Sequence, residues 1–143
     1  MVDTPVLVAG FVGPDYSPAH ALLEAHAEGE FERVVSPRMF AELDAVLHRP
    51  TFAQQAMGGR ADAFLDRVAA ASLFAPDPYD LPRATADRHH DLLVAIARAG
   101  GARFIVSSEP ELVRSFVRGV TIVTPEEFLA GLDRAEQLLA GAA

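Results

Sequence analysis

Four carboxylates, Asp3, Glu42, Asp91 and Glu109, each stand beside an apolar run at the edge of a predicted element. Asp3 lies in V-D-T-P-V-L-V and Glu42 in V-V-S-P-R-M-F-A-E-L. Asp91 lies in D-R-H-H-D-L-L-V-A-I-A and Glu109 in F-I-V-S-S-E-P-E-L. Acids gathered from distant segments repel one another, and folding tolerates that where a cation compensates. Such a cluster would be a divalent-metal site. Hard cations held by carboxylates supply a nucleophilic water and neutralise the charge that develops when a phosphodiester is cleaved. The sequence therefore predicts that Asp3, Glu42 and Asp91 share one pocket, with Glu109 at its rim.

Other chemistries find less support. The chain has no cysteine, which removes disulfides, thiolate ligands and a thiol nucleophile. It has no lysine either: all 12 basic side chains are arginine, so a Walker lysine and a Schiff-base lysine are both excluded. Ser107 and Ser108 lack the His–Asp order of a hydrolase triad, and read as caps of the following turn or as groups that orient a metal-bound water. His89 and His90 are adjacent on a helix, where neighbours point in different directions, and no companion spacing completes a zinc site. The net charge of −8 argues against broad nonspecific nucleic-acid binding, while leaving room for a local basic rim. Arg83 and Arg88, beside the third acid, carry the guanidinium fork that grips phosphate.

The elements that must position these residues alternate. At 143 residues, half of them hydrophobic, the chain reads as a single domain over 1–143 with a sizeable core and a frayed tail from about 138. The run 6–12 fits a buried strand or a helix opened by Pro5. Helices are predicted over 19–28, 37–48, 51–57, 61–71 and 87–99, and after the capping box Thr124-Pro125-Glu126-Glu127. Strands are predicted over 31–35, 72–74, 103–106 and 120–123. Proline-dense 75–82 and the segment 107–111 read as loops. The alternation predicts an α/β class with a mostly parallel central sheet, whose ligand site lies beyond the carboxyl ends of the strands. The opening residues lack a basic region and a cleavage site, and no apolar run approaches a membrane span, so a cytoplasmic protein with no membrane contact is expected.

From Val2 to about Leu132 the sequence resembles the PIN domain family, and more narrowly the VapC-type toxin components of toxin–antitoxin systems. The segments V-D-T-P-V-L-V, F-E-R-V-V-S-P-R-M-F-A-E-L-D-A-V-L-H-R-P, D-L-L-V-A-I-A-R-A-G-G-A-R-F-I-V-S-S-E and V-T-I-V-T-P-E-E-F-L carry the likeness. The resemblance implies a three-layer α/β/α fold and endonucleolytic cleavage of single-stranded RNA dependent on Mg²⁺ or Mn²⁺. It maps the family's acids onto Asp3, Glu42, Asp91 and Glu109 as catalytic residues and metal ligands. Arg83, Arg88 and Ser107 become candidate RNA contacts. A protein antitoxin and a second copy of the chain are the implied partners, with the helices at 19–28 and 61–71 expected to carry the apolar docking patch. The chain departs from the family pattern at Pro5, where Asn is usual, and at Ser107-Ser108-Glu109, where Thr-Gly-Asp is usual. These departures define the alternative reading, a catalytically degenerate PIN domain serving as a binding or regulatory module.

Overall fold

The computed structural model describes residues 1–142. The ambiguous opening run is a helix, α1 (Thr4–Val12). Asp3 keeps an extended backbone at its N-cap, and Pro5 sits in the first turn, where its missing N–H loses no hydrogen bond. Helix α2 (Pro18–Ala27) starts at Ser17, whose side chain accepts from His20 N. Strand β1 (Arg33–Val35) runs into α3 (Pro37–Leu47), capped by Ser36, which accepts from Met39 N. The helix expected over 51–57 is broken instead. A single α-turn, α4 (Ala53–Ala56), is flanked by 3-10 turns at Pro50–Phe52 and Met57–Gly59. Gly58 and Gly59 both take positive φ (67° and 76°), a conformation that ends a right-handed helix and that glycine adopts freely.

Helix α5 (Arg60–Ala70) leads to strand β2 (Ser72–Phe74), and the predicted loop follows. Helix α6 (Arg88–Ala99) precedes β3 (Phe104–Val106). Within the segment read as a loop, Pro110 opens a short helix, α7 (Pro110–Val113). Strand β4 (Thr121–Val123) and α8 (Pro125–Gly141) complete the chain. The capping box at the start of α8 closes in both directions: Glu127 N donates to Thr124 Oγ1 at 3.2 Å and Thr124 N donates to Glu127 Oε2 at 2.9 Å. The tail expected to fray from 138 remains helical as far as Gly141, while Ala143 lies outside the described residues.

The strand pairs are parallel, β1 with β2 and β3 with β4, and Val2 adds a parallel bridge to Val106. Successive side chains on a strand point to opposite faces. Accordingly Met1 and Ile105 enter one apolar cluster with Leu92, Leu93 and Ile96 of α6, while Val2 and Val106 enter another with residues of α1, α2, α3 and α5. Helices thus cover both faces of the strands, as an α/β/α layering requires. The helices at 19–28 and 61–71 do not carry the expected exposed patch, because Leu22, Phe64, Leu65 and Val68 are buried. Large exposed apolar side chains stand elsewhere, including Leu73 and Phe74 on β2 and Leu138 and Leu139 on α8.

One contact locks α6 against β1. A Cβ on Gly100 would fall 2.3 Å from Val34 Cγ1 and 3.2 Å from Ala75 Cβ. Val34 is a buried, β-branched strand residue with little freedom to yield. Gly100→Ala should therefore destabilise the fold by about 1–3 kcal/mol, the usual range for overpacking. Urea unfolding measures this, and an unchanged midpoint would show that the two elements can separate freely.

Candidate metal centre

Asp3 reaches its place through backbone pairing. Its N–H donates to Val106 O at 2.9 Å, just as Val106 N donates to Met1 O at 2.9 Å. Ser107 is fixed in the same way, donating from its N–H to Val123 O at 3.0 Å. Two residues that follow paired strands are thus brought side by side. Ser107 Oγ donates to Asp3 Oδ2 at 2.9 Å and accepts from Glu109 N at 3.1 Å. Asp3 and Ser107 are both fully buried. Glu109 is the N-cap of α7, and its half-exposed carboxylate points Oε2 toward His90 Nε2 at 2.6 Å. A carboxylate has no proton to give, so the ring nitrogen is the donor.

The other oxygen of Asp3, Oδ1, is buried and has no hydrogen-bond partner. Asp3 also makes no side-chain capping bond to α1, although it occupies the N-cap. Burial is the main influence on its titration and raises its pKa; the Ser107 bond opposes this, and the nearby Glu109 charge adds to it. An orphaned buried carboxylate oxygen is a poor structural feature and a good cation ligand.

Asp91, expected in the same pocket, is used otherwise. Its Oδ1 accepts from Ala84 N at 3.0 Å, Thr85 N at 2.8 Å and Thr85 Oγ1 at 3.0 Å. Its Oδ2 accepts from Arg88 at 3.2 Å. These bonds, the one from Ala84 N foremost, hold its pKa down to about 2. Asp91 ties the segment before α6 to that helix. Arg88 assists by also donating to Leu81 O at 2.7 Å, so its guanidinium is largely committed within the loop. Arg83 is exposed, with one long bond to Ala86 O at 3.4 Å. Ser107 faces Asp3 and caps the turn into α7, so its hydroxyl is spent inside the protein.

Glu42 is exposed on α3 and has no hydrogen-bond or ion-pair partner among the described residues. Among those residues, no group of three or more His, Asp or Glu side chains is placed to hold a metal ion. Asp3 and Glu109 meet through Ser107, while the Asp91 carboxylate bonds to Ala84, Thr85 and Arg88. The α6 residue that does reach Glu109 is His90, one position earlier and 6% exposed. Adjacent helical residues diverge by about 100°, so only one of the pair can face the site. The available signal was Asp87. As N-cap it accepts from His89 N and His90 N, which fixes the phase of the first turn.

Residues 1–109 match the family described as PIN domain, and the chain belongs to that family. PIN domains are generally nucleases, and they typically use divalent metals. The crystal structure of PAE2754 from Pyrobaculum aerophilum superposes with a TM-score of 0.56 at 19% identity, over 93% of this chain and 88% of that one. At that identity the likeness speaks for the fold. No curated protein matches the sequence. No helix among the described residues is long and apolar enough to cross a membrane.

The residues present fit a hard divalent cation of the kind PIN domains use. Mg²⁺ needs only one or two protein carboxylates and retains its waters; Asp3 Oδ1 would be such a ligand, with the Glu109 charge near enough to affect Asp3.

Two opposite pH responses follow. The pKa of Asp3 is raised on folding, so its contribution to stability is present below the unfolded value and lost as pH rises through the folded one. In metal-free neutral buffer Asp3→Asn should therefore melt above the parent; a lower melting temperature would show that the charge is satisfied some other way. The pKa of Asp91 is depressed, so its contribution is present above the unfolded value and lost as pH falls toward about 2. Asp91→Ala should melt several degrees below the parent at neutral pH, with the gap closing in acid. Equal melting temperatures at neutral pH would release Asp91 from its structural role.

Proposed function

We propose that this PIN domain is a metal-dependent endoribonuclease acting on single-stranded RNA, and that it is the toxin of a toxin–antitoxin pair. The observation that supports this best is Asp3: a fully buried carboxylate, one oxygen held by Ser107 and the other without any partner. Mg²⁺ or Mn²⁺ would be held by Asp3 Oδ1 with Glu109, and would supply charge neutralisation and an activated water at the scissile phosphate. Ser107 orients Asp3 and keeps Oδ1 free for that purpose. Glu109 offers a partly exposed carboxylate at the mouth of the site, and His90 steadies it. Glu42, exposed and unpaired on α3, is the remaining candidate ligand of this reading. Arg83 is the better of the two arginines for gripping RNA phosphates, because Arg88 is engaged with Leu81 O and Asp91. An antitoxin and a second copy of the chain are the partners of this reading.

A second reading, a binding or regulatory module without catalysis, draws on the pairing of Glu109 with His90 and on the absence, among the described residues, of a three-donor set. Incubating the purified protein with a labelled single-stranded RNA separates the two. The enzyme reading expects internal cleavage with Mn²⁺ or Mg²⁺, none with EDTA, and a loss of about 100-fold or more in Asp3→Asn, the scale of removing one key electrostatic group. Weak or undetectable Mn²⁺ binding with no RNA cleavage would favour the module, and cleavage undiminished in Asp3→Asn would remove Asp3 from the chemistry.

A further inference from the structure

We propose that the groove between α1, α2 and α5 binds a small organic anion, its head held by Arg33 and its apolar body against Phe11 and Phe64. The groove encloses about 620 Å³, within the usual size of ligand pockets, and Arg33, Arg60 and Arg67 all line it. None of Asp3, His90, Ser107 or Glu109 does, so it is separate from the nuclease site.

Arg33 carries the argument. It is 4% exposed, yet it forms no ion pair with any carboxylate among the described residues. Its Nε donates to Ser72 Oγ at 2.9 Å, and no further hydrogen bond from its guanidinium is present. Ser72 Oγ in turn donates to Val68 O at 2.6 Å, so it remains satisfied without the arginine. The terminal nitrogens of Arg33 bond to no protein group and are not sealed from solvent, so they stay open to a ligand. Burial alone lowers the Arg33 pKa to about 10, with no carboxylate pulling it back, and the Arg33 charge helps to lower the pKa of His26. The neighbourhood is thus cationic, with no carboxylate paired to Arg33 among the described residues.

Arg60 and Arg67 extend this character to the rim. Neither forms an ion pair, and the rim acids Asp15 and Glu24 pair with none of the three arginines. A planar guanidinium presents two parallel N–H groups, which match a carboxylate or a phosphate monoester. The Phe11 and Phe64 rings, with centroids 4.9 Å apart, give an apolar wall.

Thermal melting in EDTA and chloride, at constant ionic strength, tests the site with three probes: inorganic phosphate for the head alone, AMP for a phosphate on an aromatic body, and octanoate for a carboxylate on an alkyl chain. At least one organic anion should raise the melting temperature by several degrees and by more than inorganic phosphate does. Arg33→Met should abolish that rise while remaining folded in its absence, since Ser72 Oγ keeps its bond to Val68 O. Arg67→Gln should melt like the parent without probe and show a smaller rise. Asp3→Asn should keep the full rise. The proposal is overturned if no probe stabilises the parent, if the rise survives in Arg33→Met, or if it vanishes in Asp3→Asn, which would place the anion at the nuclease site. Equal rises with phosphate and with both organic anions would overturn the role given to the aromatic wall.

Discussion

The carboxylate of Asp3 is the constraint around which the site is built. It is buried at the junction of two core clusters, one oxygen bonded to Ser107 and the other bonded to nothing. Taking a carboxylate out of water with half its hydrogen-bonding capacity unfilled is unfavourable, so the surrounding fold must stabilise the arrangement. It does so through the main chain. Asp3 and Ser107 are pinned by ladder bonds to Val106 and Val123, which neither side chain can alter by rotating. The strands thus hold a strained polar group in place, a departure from the local rules that the rest of the structure obeys.

Much of the fold was legible in the sequence, because its signals are local. The capping box at Thr124, the Ser-Pro start of α3, and the Gly100-Gly101 end of α6 are short-range devices, and each stands where the pattern placed it. What was not legible depended on tertiary context. The run after Asp3 is apolar on all sides and carries almost no periodicity; only the Pro5 start resolves it as helix. The helix expected over 51–57 breaks because two consecutive glycines take left-handed φ, and α7 hides in a segment that proline and serine make look irregular.

The site was half legible. Asp3 and Glu109 both stand next to strands, and the structure gives them a shared neighbour in Ser107. In the structure the Asp91 carboxylate anchors the loop before α6. An acid in the first turn of a helix is equally suited to binding a metal and to anchoring the preceding loop, and sequence cannot separate these uses. Here the proline-rich approach to α6 presents Ala84 N and Thr85 N, two donors that need an acceptor, and Asp91 supplies it. His90 then takes the direction left open and reaches Glu109. Arg33 was read only as part of a strand, because nothing local reveals that a buried cation lacks a counter-charge.

The central claim is that Asp3 Oδ1 is kept free for a cation. Anomalous diffraction from crystals grown with Mn²⁺ tests it most directly. A peak about 2.1 Å from Asp3 Oδ1, the distance expected for a small hard divalent ion, with Glu109 as its next protein neighbour, is the predicted result. A protein that leaves Asp3 bare while Mn²⁺ collects elsewhere would contradict the account.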